Sequence, residues 1–529
     1  MSRLPLSVLA GLALLVSVLV ALPTPAQAAT VHKKAPTSSV SRPIPGESFS
    51  LSGTLGRSVK RYAVLQRKSG SRWVRVQRTI IPASGAYRFA LTQPTYVASW
   101  RVIARKVKVK RHTYAQRLSN TRTLTRISQT ASVSAPAAIK AGSAATVTAS
   151  FSPVRRGRTA QIQINTGAGW KTIATGAQGP AGRVTTSWRS TTNTTVQFRA
   201  IAAARAGVGS LTTAARTVAV LPSTPVAISA HRGYSSKFAE NSWHAFNGAM
   251  QEKAEWIETD FRLSAPNPTD VLAIADPDQP DLPVDPTCAG PAGTRFWVIV
   301  HDSTFARTTD VGSVFPGRAN DATTTFTCSE IKQLRVDTLR SPNLSELGVP
   351  TLAEFVTWMR AFEVKTGYSG ERIMVEYKGS KASEFADLYD QVKALAPEWI
   401  DASTHHDKAV FTSFNYTSAF TALLDPQYGV GGDVTSNERV FDGAELAAII
   451  DSTSDKLPSQ PSDVSTRWLQ VQYQHTLLTA ARAKAAHAIV EQVVAWTPVA
   501  STSIQKAAAL GADVITTDNL PAARAALLR

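Results

Sequence analysis

The sequence predicts a multidomain chain, a C-terminal (β/α)8 TIM barrel preceded by two small all-β sandwiches of immunoglobulin-like kind. Three observations carry this expectation. Beyond Pro222-Ser223-Thr224-Pro225, short apolar runs alternate with helical patterns (Ser242 to Lys253, Thr351 to Val364, Lys381 to Leu395, Leu477 to Val493), as in a parallel sheet covered by helices. Before that linker, short alternating segments broken by Gly and Ser recur as a weak internal repeat. The charge divides at the same point. Between Val31 and Pro222 there are 31 Lys/Arg and one acid, Glu47; after Pro222 there are 25 Lys/Arg and 37 Asp/Glu.

Residues 1–28 read as a secretory signal: Arg3, an apolar stretch from Leu6 to Leu22, and Ala26-Gln27-Ala28 as a small-residue cleavage site. A retained membrane anchor is the alternative reading; no later apolar run is long enough to span a bilayer. Residues 29–46 are polar and contain Pro, and are expected to be a flexible leader. The first predicted sandwich occupies 47–128, with Tyr62-Ala63-Val64-Leu65-Gln66, Trp73 and Trp100-Arg101-Val102 as its marks. The second occupies 129–222, with Ala160-Gln161-Ile162-Gln163-Ile164, Trp170 and Phe198-Arg199-Ala200 in corresponding places. Arg105 to Arg111 alternates cation with Val and predicts a strand or hairpin with one basic face; lysines guarding a solvated edge would look the same. So basic a segment is drawn to polyanions, which outside a cell means teichoic acid, anionic lipid headgroups or extracellular nucleic acid. A solubilising spacer is the plainer role for it.

The predicted barrel spans 223–529. Val226 to Ser229 leads to Ala230-His231-Arg232-Gly233, Ile257 to Glu258 and Asp260, Val298-Ile299-Val300 to His301-Asp302, and Ile373-Met374-Val375 to Glu376-Tyr377-Lys378. Apolar strands that deliver ionisable groups at their C-terminal ends are how such a barrel assembles an active site. Further strands are expected at Val410–Phe414, Tyr428–Val434, Leu469–Tyr473, Val493–Trp496 and Asp513–Thr516, one more than a barrel holds; the Tyr428 or the Leu469 segment should be a rim piece. Residues 264–296, rich in Pro and Asp, read as an insertion. It carries Cys288; the other cysteine is Cys328. In an exported chain these two are expected to form a disulfide, with two free buried thiols as the alternative.

His231-Arg232-Gly233, Glu240-Asn241-Ser242, Glu258-Thr259-Asp260, His301-Asp302, Glu376-Tyr377-Lys378, Ser413-Phe414, Trp496-Thr497 and Thr517-Asp518 occur in that order. The set resembles the glycerophosphodiester phosphodiesterase family, a metal-dependent barrel related in fold to phosphatidylinositol phospholipase C. The likeness covers about Val226 to Leu528 and departs from the usual Pro-Glu-Asn at Ala239. It implies hydrolysis of glycerophosphodiesters to an alcohol and sn-glycerol 3-phosphate. It implies His231 and His301 as the general acid/base pair, a role that suits histidine near neutral pH. Glu258 and Asp260, two apart on a strand, face one side; with Glu376 they would form an all-oxygen site for one Ca²⁺ or Mg²⁺. Arg232 and Lys378 would contact phosphate, Trp496 would wall the substrate pocket, Glu240 would orient the first loop, and Asp302 would fix its own. His405, His406 and His475 have no place in the pattern. The nucleophile, water or a neighbouring glycerol hydroxyl, stays open. Alternatives are a phospholipase D-like hydrolase of lysolipid or sphingomyelin, a teichoic-acid hydrolase, and a non-catalytic wall-binding protein. Location is expected to be secreted, extracellular or associated with a Gram-positive-type cell wall.

Overall fold

The computed structural model describes residues 31–94, 96–271, 288–336, 348–367, 370–400, 407–420, 445–452, 454–455, 457–458 and 467–528. The expected signal segment, His405, His406, the Tyr428–Val434 strand and residues 272–287 of the expected insertion lie outside the described residues. Among those described, no helix is long and apolar enough to cross a membrane.

Eight parallel strands close a barrel: Ala227–Ala230, Trp256–Leu263, Arg372–Tyr377, Ala409–Ser413, Glu445–Ile450, Arg467–Gln474, Gln492–Trp496 and Val514–Thr517. The first pairs with both the second and the eighth, which closes the ring. These strands are buried on both faces, because helices cover the outside while side chains fill the inside. The interior floor is a layer of Trp256, Met374, Val410, Ala447, Leu469, Val494 and Val514. Polar side chains therefore gather at the opposite end. Helix starts are encoded locally. Ser242 caps Trp243–Gln251, and Thr351 with Glu354 makes a reciprocal capping box for Leu352–Thr366.

Two strand expectations need correction. Val298-Ile299-Val300 is not a barrel strand. Trp297–Ile299 runs antiparallel to the end of the second strand, and Arg372–Tyr377 takes the third place. The Val300 N–H donates to the Asp260 carbonyl at 3.1 Å, so the hairpin returns His301 to the same rim. The fifth strand, Glu445–Ile450, was not expected, because its Ala447-Ala448 centre has none of the β-branched density of a buried strand. Leu469–Tyr473 lies within a true barrel strand.

The excursion after His301 builds its own small core from Phe305, Val311, Phe326, Ile331 and Leu334. Cys288 and Cys328 are bonded across 40 residues of chain, Cα to Cα 5.4 Å, as expected. Closing a loop of that length removes unfolded-state freedom. Cys328→Ser should lower stability by about 3 kcal/mol, read as a loss in unfolding free energy that reductant reproduces in the parent chain.

The N-terminal half is almost entirely strand. Ser48–Thr54 pairs with Ala86–Thr92, and Arg61–Ser69 lies between Arg72–Ile81 and Ala98–Ala104. The arrangement recurs as Ala144–Ser152 with Arg183–Arg189, and Thr159–Asn165 between Trp170–Ala177 and Thr194–Ala202. In each unit two sheets face one another across one apolar core. The expected flexible leader is partly strand: Val31–Lys33 pairs with Arg117–Ser119 and Thr37–Ser38 with the strand after it, because both find open sheet edges. Val107–Val109 and His112–Tyr114 form the expected hairpin. Glu47, the single acid of this half, holds Arg155 of the second unit at 2.6 Å. The helix Ser501–Ala509 of the barrel packs on Arg216–Leu221.

Candidate active site

Strand parity decides what faces the barrel axis. Trp256 is in the floor layer, so Glu258 and Asp260 also point inward; Met374 likewise aligns Glu376 and Lys378. The second and third strands pair in register, with Asp260 opposite Glu376. One oxygen each of Glu258, Asp260 and Glu376 lie within 4.8 Å of one another, all three residues buried. The expected carboxylate trio is thus brought together.

Such a cluster is electrostatically uneasy. Burial, with repulsion from Asp260 and Glu376, lifts the Glu258 carboxyl well above its ordinary range. Burial pushes Glu376 up to about 7 despite the pull of Lys378. Burial would raise Asp260 too, but Lys378 and Arg232 outweigh it and hold that carboxyl low. One buried Glu258 oxygen, Oε1, has no hydrogen-bond partner. Three buried carboxylates, one with an orphaned oxygen, are a donor set fitted to a hard divalent cation.

Lys378 and Arg232 both lean into this cluster. The Lys378 ammonium contacts Glu376 and lies 3.1 Å from Asp260. The Arg232 backbone N–H donates to Glu258 at 2.9 Å, its Nη1 donates to Glu240 at 3.0 Å, and its Nε lies 3.2 Å from Asp260. Gly233 permits this turn. At φ +78° it passes so close to helix Trp243–Gln251 that an added Cβ would sit 2.6 Å from the Ala245 carbonyl carbon.

Each histidine is gripped through Nδ1 by an aspartate. His231 Nδ1 is 2.7 Å from Asp518, and His301 Nδ1 is 2.6 Å from Asp302. Asp518 is partly buried, yet hydrogen bonds from His231 and Ser235 keep its carboxyl low. Asp302 falls to about 2, chiefly because Arg307 hydrogen-bonds it. Both aspartates are therefore carboxylates at neutral pH, so each Nδ1 must carry the proton. Nε2 is then the ring nitrogen left to exchange a proton with substrate. Burial lowers the pKa of His301, which favours the neutral form.

Arg307 also ties the two histidine loops together. It donates to Asp302 at 2.6 Å and to both Glu240 oxygens at 2.7 Å. Asn241 donates to Asp260 at 2.7 Å, and Arg262 donates to the His301 carbonyl at 2.7 Å. Trp496 faces inward and is half-buried; its ring meets Phe414 edge to face at 5.4 Å, and its Nε1 donates to the Gln472 carbonyl. His475 adjoins it, its backbone N–H donating to the Trp496 carbonyl at 2.7 Å.

Sequence reasoning placed the carboxylates, histidines and cations but gave no role to Asp518, Arg307, Asn241, Arg262 or Phe414. Parity on the eighth strand, where Thr516 and Asp518 share a face, is the signal that would have found Asp518. Arg307 has no such signal, because its partners lie on two separate loops. Asp518→Asn should reduce kcat by about ten- to a hundredfold with KM little changed, since it frees the imidazole to turn or change tautomer. Steady-state kinetics beside an unchanged melting curve would check it.

The fold and this acidic, histidine-flanked rim define a barrel hydrolase of the phosphodiester class. The profile of the Glycerophosphoryl diester phosphodiesterase family matches residues 231–267 and 295–522, half of the chain, and the gap falls on the expected insertion. The chain belongs to that family, and its barrel is that of a glycerophosphodiester phosphodiesterase. No curated protein matches it. Among solved structures, it is similar to an Oleispira antarctica phosphodiesterase in complex with the product sn-glycerol 3-phosphate. That pair is 18% identical over 58% of this chain and 98% of that one, with a TM-score of 0.39. A candidate glycerophosphoryl diester phosphodiesterase of Silicibacter pomeroyi is 14% identical over 58% and 94%, with a TM-score of 0.41. The human OSCAR ligand-binding domain is 12% identical over 35% and 98%, with a TM-score of 0.22.

Proposed function

We propose that this is an exported enzyme that hydrolyses glycerophosphodiesters to an alcohol and sn-glycerol 3-phosphate, using one Ca²⁺ or Mg²⁺ and two histidines. The observation that carries the reading is the buried Glu258–Asp260–Glu376 cluster on the same rim as two aspartate-oriented histidines. When bound there, the cation supplies charge neutralisation at the phosphoryl oxygens and a template for the nucleophile. Arg232 and Lys378 add fixed positive charge to the same corner, where the phosphate monoanion would lie. Nε2 of one histidine takes the proton of the attacking hydroxyl. Nε2 of the other, protonated, gives one to the leaving alkoxide. Asp518 and Asp302 hold both rings in the tautomer that leaves Nε2 free. Phe414 and Trp496 present an apolar wall to the carbon part of the substrate.

The remaining assignments belong to the same proposal. Residues 1–28 direct export, and the chain works outside the cell or at its wall. Residues 47–128 and 129–222 are immunoglobulin-like modules that hold an anionic surface. The barrel occupies 223–529. The test is purified chain offered glycerophosphocholine, glycerophosphoglycerol, lysophosphatidylcholine and sphingomyelin in parallel. Release of sn-glycerol 3-phosphate from the first two is the expected result; faster release of choline from the two lipids would replace this reading with a phospholipase D-like lipid hydrolase.

A further inference from the structure

The two strand-rich units share a surface feature more closely than their sequences suggest. In the first, the Arg101 guanidinium lies 4.2 Å from the ring centroid of Trp73 while its Nε donates to Gln66 Oε1 at 2.8 Å. In the second, Arg199 lies 4.2 Å from the Trp170 centroid and its Nε donates to Gln163 Oε1 at 2.8 Å. The same bulge accompanies both. The register shifts between Leu65 and Gln66 in one unit and between Ile162 and Gln163 in the other. A bulge re-aims the side chain beside it. In both units the extra residue lies in the Trp strand, Val76 or Ile173, and each Gln stands directly opposite its Arg on the neighbouring strand.

Each cluster sits on the face of the sheet turned away from the core, with its Trp half-buried on an edge strand. The Gln occupies Nε and the indole backs the guanidinium plane. Neither Arg donates a hydrogen bond from Nη1 or Nη2 among the described residues. An arginine held flat with its outer fork open is built for bidentate contact with a phosphate. The half-buried Trp ring beside it suits the CH faces of a polyol. In the first unit, Lys68 and Arg75 share this face and add charge. Only Glu47 opposes the 31 cations of this half, and Arg155 already neutralises it.

We propose that Trp73–Arg101–Gln66 and Trp170–Arg199–Gln163 are two equivalent stations for a polyol-phosphate polymer, a chain of the phosphodiester linkages that the barrel hydrolyses. The choice of polymer rests on the proposed function; the stations do not. Alternating phosphate and polyol matches a fork beside an indole. A repeating chain engages both stations at once, so the second contact forms at high effective concentration. The enzyme is thereby held on its own kind of substrate.

The test passes full-length chain over immobilised poly(glycerol phosphate), phosphatidylglycerol vesicles and double-stranded DNA at physiological salt. The parent chain should bind the polymer most tightly. Arg101→Lys and Arg199→Lys keep the charge but lose the fork. Each should weaken polymer binding about tenfold, and the double variant about a hundredfold. Lys106→Gln with Lys108→Gln, which removes hairpin charge instead, should weaken it less than about threefold. Turnover of glycerophosphocholine by all variants should stay within about twofold, because these positions are remote from the rim. Undiminished binding by the double Lys variant, an equal loss from the hairpin variant, or preference for vesicles or DNA would overturn the inference. Polymer binding with no turnover in the parent would instead count against the proposed function alone.

Discussion

Replacing His231 or His301 by Ala should lower kcat on glycerophosphocholine by about a hundred- to ten-thousandfold, the usual range for loss of a positioned proton donor or acceptor. The barrel should survive either change. Neither ring belongs to the apolar cores; each stands at a strand end or loop and is held by one aspartate. The two losses should not multiply in the double variant, because the two proposed proton transfers serve one displacement. KM should move far less than kcat, since in the proposed mechanism Arg232, Lys378 and the cation, not the histidines, hold the phosphate. Kinetics beside circular dichroism would read all of this. A variant that keeps a tenth or more of parental kcat would show that its ring does not move the proton.

Glu376→Gln and Glu258→Gln should separate stability from function. In the cation-free chain three carboxyls are buried together, and burial holds Glu376 near 7 and Glu258 well above its ordinary range. The sign follows from linkage. A carboxyl whose folded pKa lies above its unfolded value favours folding only when protonated. Chelated enzyme should therefore become more stable as pH falls from about 7 toward about 4.5, and less stable as it rises. Gln removes that penalty, so either variant should melt higher than the parent in chelator at pH 8. The same variants should lose about a thousandfold in turnover, because the proposed cation would lose a ligand. With saturating Ca²⁺ the order of melting temperatures should reverse, since only the parent gains from binding. Thermal melts with and without cation are the check.

The pattern of what was legible in the sequence is physical. Glu258, Asp260, Glu376 and Lys378 could be read because strand parity is local: an apolar run sets the face, and the ionisable residue at its end inherits it. His301 was read correctly as a residue at the rim but for the wrong strand. A three-residue apolar run looks the same in a barrel strand and in an antiparallel hairpin. The fifth strand escaped because alanine carries little β signal and Ala447-Ala448 stands at its centre. The pairing of His231 with Asp518 joins residues 287 positions apart, and only closure of the barrel brings them together. Arg307 links two loops whose approach no period encodes. In the N-terminal half the Trp spacings exposed the repeat. The shared bulge in the strands that carry Trp73 and Trp170 depends on backbone register, to which residue identity gives no guide.

The central claim is that the chain hydrolyses its diester only with a divalent cation held by Glu258, Asp260 and Glu376. The direct measurement is release of sn-glycerol 3-phosphate from glycerophosphocholine by chelator-stripped chain, followed as Ca²⁺ or Mg²⁺ is titrated back. The account predicts no turnover in chelator and recovery that saturates at one cation per chain. Undiminished turnover by the stripped chain would contradict it.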